Sequence, residues 1–191
     1  MSGKQLLGPV NGLYPSLTVL VGAEVEGRVN FVTIAHVGIL NHGQPQYLSF
    51  GINKAHFTNA GIRENKAFSV NVPGRGLMVE TDYAGLVSGK DTDKSGLFEV
   101  FYGETPHAPL IKACPVCMEC RLHEVLDYGR HEIFVGEIMA THADPAVLTD
   151  GRIDPAKADP LLFDFGTVCY YGLGEKLGPC WSVGKKLKKK D

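Results

Sequence analysis

Leu17–Val25 reads LTVLVGAEV, and after Glu26-Gly27 the chain returns through Val29–Ala35, VNFVTIA. Two β-branched, apolar runs on either side of a two-residue turn signal predict an antiparallel hairpin. The same grammar continues outward, with Tyr47–Ile52, Phe68–Val72, Cys117–Val125 and Glu132–Ala140 as further strand-like runs between Gly, Pro and Asn. In Met118, Cys120 and Leu122, apolar residues alternate with Glu119, Arg121 and His123, the period of a half-buried strand. The alternation slips at Glu124-Val125-Leu126, which predicts a bulge or the end of pairing. Two segments read as helices: Thr58–Asn65, which opens with capping-type residues, and Leu77–Val87, where Val79, Tyr83 and Leu86 share one face. Strands outnumber helices and do not alternate with them as βαβ units require. The expectation is a mainly β fold, an antiparallel barrel closed or partly closed, with short helices outside it.

The 191 residues suit one domain, with about 1–12 and 185–191 expected as flexible tails. Apolar residues at 44% and charged residues at 21% are ordinary for a chain with a real core. A net charge of -2 offers no global field for nucleic acid, and the lysines of GKKLKKKD, 184–191, read as a solvated tail. Leu17–Val25 is the longest apolar stretch, interrupted by Thr18, Gly22 and Glu24 and far short of the ~20 residues of a membrane helix. No signal segment is visible, and five cysteines do not make a disulfide framework, so a reduced, cytoplasmic setting is expected.

Cys114, Cys117, Cys120 and His123 have the spacing C-x2-C-x2-C-x2-H, which raises zinc or an iron–sulfur cluster. On a strand, residues three apart lie about 10 Å from each other on opposite faces. Thiolates on one zinc must lie within about 4 Å, so buried core cysteines are expected instead, with only the first pair reachable by a turn at Pro115. Ala84–Asp91, AGLVSGKD, misses the phosphate-loop pattern at both ends, and neither G-x-S-x-G nor G-x-G-x-x-G is present.

The more informative set is Asn30–Gly38 (NFVTIAHVG), Ser49–Thr58 (SFGINKAHFT) and Phe68–Pro73 (FSVNVP). These bring Thr33, Asn53, Lys54, His56 and Thr58 to the ends of adjacent strands and the start of a helix. Free helix-terminal N–H groups, a cation and hydroxyls make a phosphate site. From the residues alone, a capped helix start with solvated polar side chains explains the same pattern.

The chain resembles the flavin reductase-like, FMN-binding split-barrel family, and within it the flavoredoxin branch. The likeness is carried by YPSLTVLVGA from Tyr14, NFVTIAHVG from Asn30, KAHFTNAGIRENKAFSVNVP from Lys54 and DYAGLVSGKDTDKSG from Asp82. It continues through APLIKACPVCMECRLHEV from Ala108, GRHEIFVGEI from Gly129, ADPLLFDF from Ala158 and YYGLGEKLG from Tyr170. The resemblance implies a six-stranded antiparallel Greek-key split barrel that forms a homodimer around non-covalent FMN. It implies that Asn30, Thr33, Ala35, His36, Val37 and Gly38 follow the ring edge, and that Asn53, Lys54, His56 and Thr58 hold the phosphate. Lys94 would add a cation, and His131 and Phe165 would approach the flavin or its open face. Position 36, often a bulky aromatic in this branch, is His36 here. The implied activity is NAD(P)H-dependent flavin reduction feeding a second acceptor, with NADH or NADPH as donor. The alternative is an electron carrier whose FMN is reduced by a redox protein partner. No catalytic side chain, metal, nucleic acid or membrane enters either expectation.

Overall fold

The computed structural model describes residues 3–188; the last residues of the lysine tail, 189–191, lie outside the described residues. The strands are β1 (Ser16–Leu17), β2 (Val19–Val25), β3 (Arg28–Ile34), β4 (Val37–Ile39) and β5 (Tyr47–Asn53). After helix α1 (Thr58–Asn65) come β6 (Ala67–Val72), α2 (Met78–Leu86), β7 (Val100–Phe101) and β8 (Leu110–Ile111). Two long strands follow, β9 (Val116–Tyr128) and β10 (His131–Ala143). The chain ends with β11 (Leu148–Thr149), β12 (Arg152–Ile153), α3 (Pro155–Ala158), β13 (Leu162–Asp164) and β14 (Cys169–Tyr171).

The β2–β3 hairpin forms as expected. Glu26 and Gly27 both take positive φ, 52° and 74°, the two-residue turn whose twist matches flanking strands. The main sheet runs β3-β2-β6-β9-β10-β5-β4, six principal strands plus the three-residue β4 at one edge. Its two edge strands, β3 and β4, are consecutive in the chain and separated only by Ala35 and His36. A sheet whose opposite edges are joined by two residues must curl into a barrel, split at that junction. The split barrel is therefore enforced by connectivity, and His36 sits on its seam.

The β9–β10 ladder skips His123, between Val135↔Glu124 and Gly136↔Leu122, so the bulge falls beside the predicted slip. Inside the barrel, Phe50 stacks on Phe134 at 5.4 Å and takes the edge of Phe68 at 5.3 Å. Each such buried ring contributes about 2–3 kcal/mol of transfer free energy. A second core, with Leu20, Phe31, Ala84, Phe98, Cys114 and Cys117, lies where α2 and the β7–β8 hairpin cover the sheet. Cys114 and Cys117 thus face one core and Cys120 the other, all three buried as expected.

The helices depart from simple amphipathic expectation. Val79, Tyr83 and Leu86 of α2 do share a face, but it points outward, and the buried residues are Thr81 and Ala84. The reason is steric. A Cβ on Gly85 would already stand 3.1 Å from Thr33, so only the small-residue face fits this close to β3. Helix α1 is seated still more tightly. A Cβ on Gly61 would lie 2.1 Å from the Glu24 carbonyl oxygen of β2. Asn65 Nδ2 donates to that same carbonyl at 2.9 Å, and Asn59 Nδ2 donates to the buried Glu132 of β10 at 2.8 Å, joined there by Arg63. These contacts fix where the first turn of α1 points.

Candidate functional site: a polar pocket at the start of α1

The first turn of α1 opens into a cavity of about 240 Å³ lined by Asn30, Val32, His56, Phe57, Thr58, the 85–89 loop and Lys94. Thr58 does not cap the helix. The cap position is Phe57, no side chain satisfies the first-turn amides, and no acidic residue stands there. The Asn59 and Ala60 amides turn back onto the His56 and Phe57 carbonyls, both at 3.3 Å, so the N–H groups of Phe57 and Thr58 remain as donors at the positive end of the peptide dipoles. Thr58 Oγ1 instead accepts from Asn30 Nδ2 at 2.8 Å, both side chains being buried, which leaves the Thr58 hydroxyl proton free to donate.

Lys94 supplies the charge. Its side chain is only 4% exposed, and Nζ donates to the carbonyls of Phe31 (2.5 Å), Ala84 (3.0 Å) and Val87 (3.1 Å). All three ammonium protons are therefore engaged, so Lys94 offers the pocket a fixed positive field while stapling the end of α2 to β3. Burial pulls its pKa down to about 8, so it stays charged at neutral pH. His56 is pushed the same way, first by burial and then by the positive charges of Lys94 and His131, which favours its neutral form. Gly89 is required by the close approach here: a Cβ would fall 2.3 Å from Asn30 Oδ1. An uncapped helix start, a free hydroxyl and a buried cation around one cavity fit a phosphate group.

The sequence-predicted residues divide between two ends. Asn30, His56, Thr58 and Lys94 converge on the pocket. Asn53 stands behind it, its backbone carbonyl accepting from Asn59 and its side chain from the Ala55 amide, with His131 directly across the ladder. Lys54 lies in the adjoining cavity, where Nζ pairs with Asp127 at 2.6 Å. Thr33 donates to the Thr81 carbonyl at 2.5 Å and so holds α2. Ala35 and His36 lie at the barrel seam, about 17–20 Å along the chain from Asn30 at ~3.3 Å per extended residue, with Val37 and Gly38 opening β4 beyond them. Phe165 is close to this seam end, stacked on Tyr14 at 6.2 Å, while Tyr14 Oη meets His36 Nε2 at 2.7 Å. Val32, Phe57, Ser88 and Gly89 line the pocket without having been singled out from sequence. The signal for Ser88 and Gly89 was present in AGLVSGKD, whose loop reaches a phosphate-type pocket by a route other than the strand–loop–helix pattern it misses.

The flavin reductase like domain model matches residues 11–172. The chain belongs to the flavin reductase-like family. Among solved structures, flavoredoxin from Methanosarcina acetivorans is 42% identical, covers 97% of this chain and 99% of its own, and superposes with a TM-score of 0.93. Flavoredoxin of Desulfovibrio vulgaris (Miyazaki F) is 33% identical over 95% of this chain and 99% of its own, with a TM-score of 0.87. An uncharacterized protein of Archaeoglobus fulgidus is 34% identical over 74% of this chain and 80% of its own. The high molecular weight rubredoxin of Moorella thermoacetica aligns with 99% of this chain at 26% identity, over 76% of its own length. In this member of the flavin reductase-like family, the pocket lies against the middle of β3, at Asn30 and Val32, and the seam begins just past the end of that strand at Ala35.

Proposed function

We propose that the chain is an FMN-binding NAD(P)H:flavin oxidoreductase that passes electrons to a second acceptor. The observation that carries the reading is the uncapped start of α1, with Thr58 and Lys94, opening into one pocket against the extended strand β3. Phosphate bound there would leave the remainder of a flavin to follow β3 toward the seam. FMN, when bound, supplies reversible hydride and electron chemistry. The protein's part is to hold it: first-turn amides and the Thr58 hydroxyl donate to the phosphate, and Lys94 provides charge. Asn30 orients Thr58, and the backbone of Ala35–Gly38 lines the ring edge. NADH or NADPH would approach where Phe165, 64% exposed, borders the open end. A homodimer accounts for the outward apolar face of α2 (Val79, Tyr83, Leu86).

A second reading has its own support. The full-length likeness to two flavoredoxins, and to a rubredoxin-named protein, favours a carrier whose FMN is reduced by a redox protein. Anaerobic stopped-flow mixing of the FMN-loaded protein with NADH and NADPH separates the two. Flavin bleaching within about a second fits the median turnover of enzymes and supports the reductase. A flavin inert to both nucleotides overturns it in favour of the carrier.

The pocket also predicts a pH dependence. Lys94 titrates near pH 8 in the free site, and a phosphate dianion favours its charged form, raising that pKa in the complex. The affinity for FMN should therefore fall as pH rises above about 8, by up to tenfold per pH unit. Fluorescence titration between about pH 7 and 9 checks it, and a flat profile would show that Lys94 exerts no field on the ligand.

A further inference from the structure

The seam carries a side-chain pair that the phosphate pocket does not explain. Tyr14 precedes β1, which among the described residues pairs only with β13 in a separate three-stranded sheet, β1-β13-β14. Two hydrogen bonds tie this small sheet to the barrel junction: Ser16 Oγ to the Ala35 carbonyl at 2.7 Å, and Tyr14 Oη to His36 Nε2 at 2.7 Å. The Tyr14 ring stacks on Phe165 (6.2 Å, 25° between planes) and meets Phe163 edge-on at 6.4 Å. Phe163 in turn contacts Tyr170, whose hydroxyl donates to Asp82 of α2 at 3.1 Å. A run of aromatic rings thus borders the seam from His36 to α2, and Tyr14 is the member that touches both His36 and Phe165.

An exposed histidine on a two-residue junction has several rotamers and two tautomers open to it. The Tyr14 bond removes much of that freedom. With Tyr14 donating to Nε2, the imidazole carries its proton on Nδ1 and presents an N–H donor.

Resting on the FMN reading above, we propose that Tyr14 is a positioning residue that holds His36 as a hydrogen-bond donor to the flavin ring. A ring that gains negative charge on reduction gains more from a fixed donor than the oxidised ring does. The pair would therefore favour the reduced flavin while leaving the phosphate anchor untouched.

The test is a double-mutant cycle read on the bound flavin, using Tyr14→Phe, His36→Phe and the double variant. Tyr14→Phe keeps the ring on Phe165 and removes only the hydroxyl. Each single variant should weaken the binding of reduced FMN more than that of oxidised FMN, because the donor serves both rings but serves the charged one more. Each should also lose about fivefold in the preference for reduced over oxidised FMN, the size of one ordinary hydrogen bond, read from the midpoint potential. The double variant should lose no more than either single one, because both remove the same interaction. Potentials that match the parent, or losses that add, would overturn the proposal, as would a bound-flavin absorption spectrum identical in all four proteins. A parent that takes up no FMN refutes the flavin reading itself, and the pairing with it. A thermal melt of each variant separates a lost fold from a lost hydrogen bond, and His36→Phe tests the pair even if Tyr14→Phe fails to fold.

Discussion

Lys94→Met should release FMN and lower the melting temperature by roughly 6–12 °C. Lysine 94 is buried at 4% exposure, and its three donors satisfy carbonyls from β3 and from the end of α2. Methionine fills the same space but leaves the Phe31, Ala84 and Val87 carbonyls without that partner. Each orphaned buried acceptor costs about 1–3 kcal/mol, and the relieved desolvation of the ammonium offsets part of the sum. A net loss of about 3 kcal/mol corresponds to that temperature range for a chain of this size. Affinity for FMN should drop about 100-fold, because the positive field goes and the 85–89 loop loses its staple. Differential scanning calorimetry and flavin titration read the two effects separately. A variant with parental stability and affinity would mean that the ammonium neither staples the loop nor serves the pocket.

Gly61→Ala is the second large effect, and it acts on the site from behind. The added methyl would stand 2.1 Å from the Glu24 carbonyl oxygen, 2.8 Å from Val25 Cγ2 and 2.9 Å from the Glu24 carbonyl carbon. Two of those three atoms are backbone of β2, held by its pairing with β3 at Glu24↔Val29, so α1 must lift rather than β2 yield. Lifting it strains the Asn59 and Arg63 contacts to Glu132 and withdraws the first-turn amides from the pocket. Overpacking of this kind costs about 3 kcal/mol or more, well beyond the helix propensity that alanine adds. Chemical denaturation should show the loss, with FMN affinity reduced about tenfold at a temperature where the variant is still folded. An unchanged denaturation midpoint would contradict the seating of α1 described above.

These effects were only partly legible in the sequence. The principal strands announced themselves because alternation and turn residues are local signals, and α1 occupies the predicted span Thr58–Asn65. Joining the two sheet edges through Ala35 and His36 is a long-range consequence of pairing that no local window contains. Glu119 illustrates the same limit. It reads as the polar face of an alternating strand, yet it is fully buried, accepting from the Thr105 amide and meeting His142 Nε2 at 2.6 Å. Its partners come from a loop and a strand far along the chain. Those hydrogen bonds lower its pKa, against the opposing and largest influence of burial. At the site, sequence reasoning found Thr58 and His56 because a helix start marks them, whereas Asn30 and Lys94 came from the family resemblance alone. The tether of Lys94 to three carbonyls and the ion pair of Lys54 with Asp127 required coordinates. The outward apolar face of α2 shows that an apolar helical stripe need not face the chain's own core.

The proposed function requires the α1 pocket to anchor a flavin through its phosphate. Titrating the unliganded protein with FMN and, separately, with riboflavin tests this, since the two share a ring and differ in the phosphate. Charge-assisted hydrogen bonds at about 1.5–3 kcal/mol each predict FMN to bind about 100-fold tighter or more, near one flavin per chain. Equal affinities for FMN and riboflavin would contradict the account.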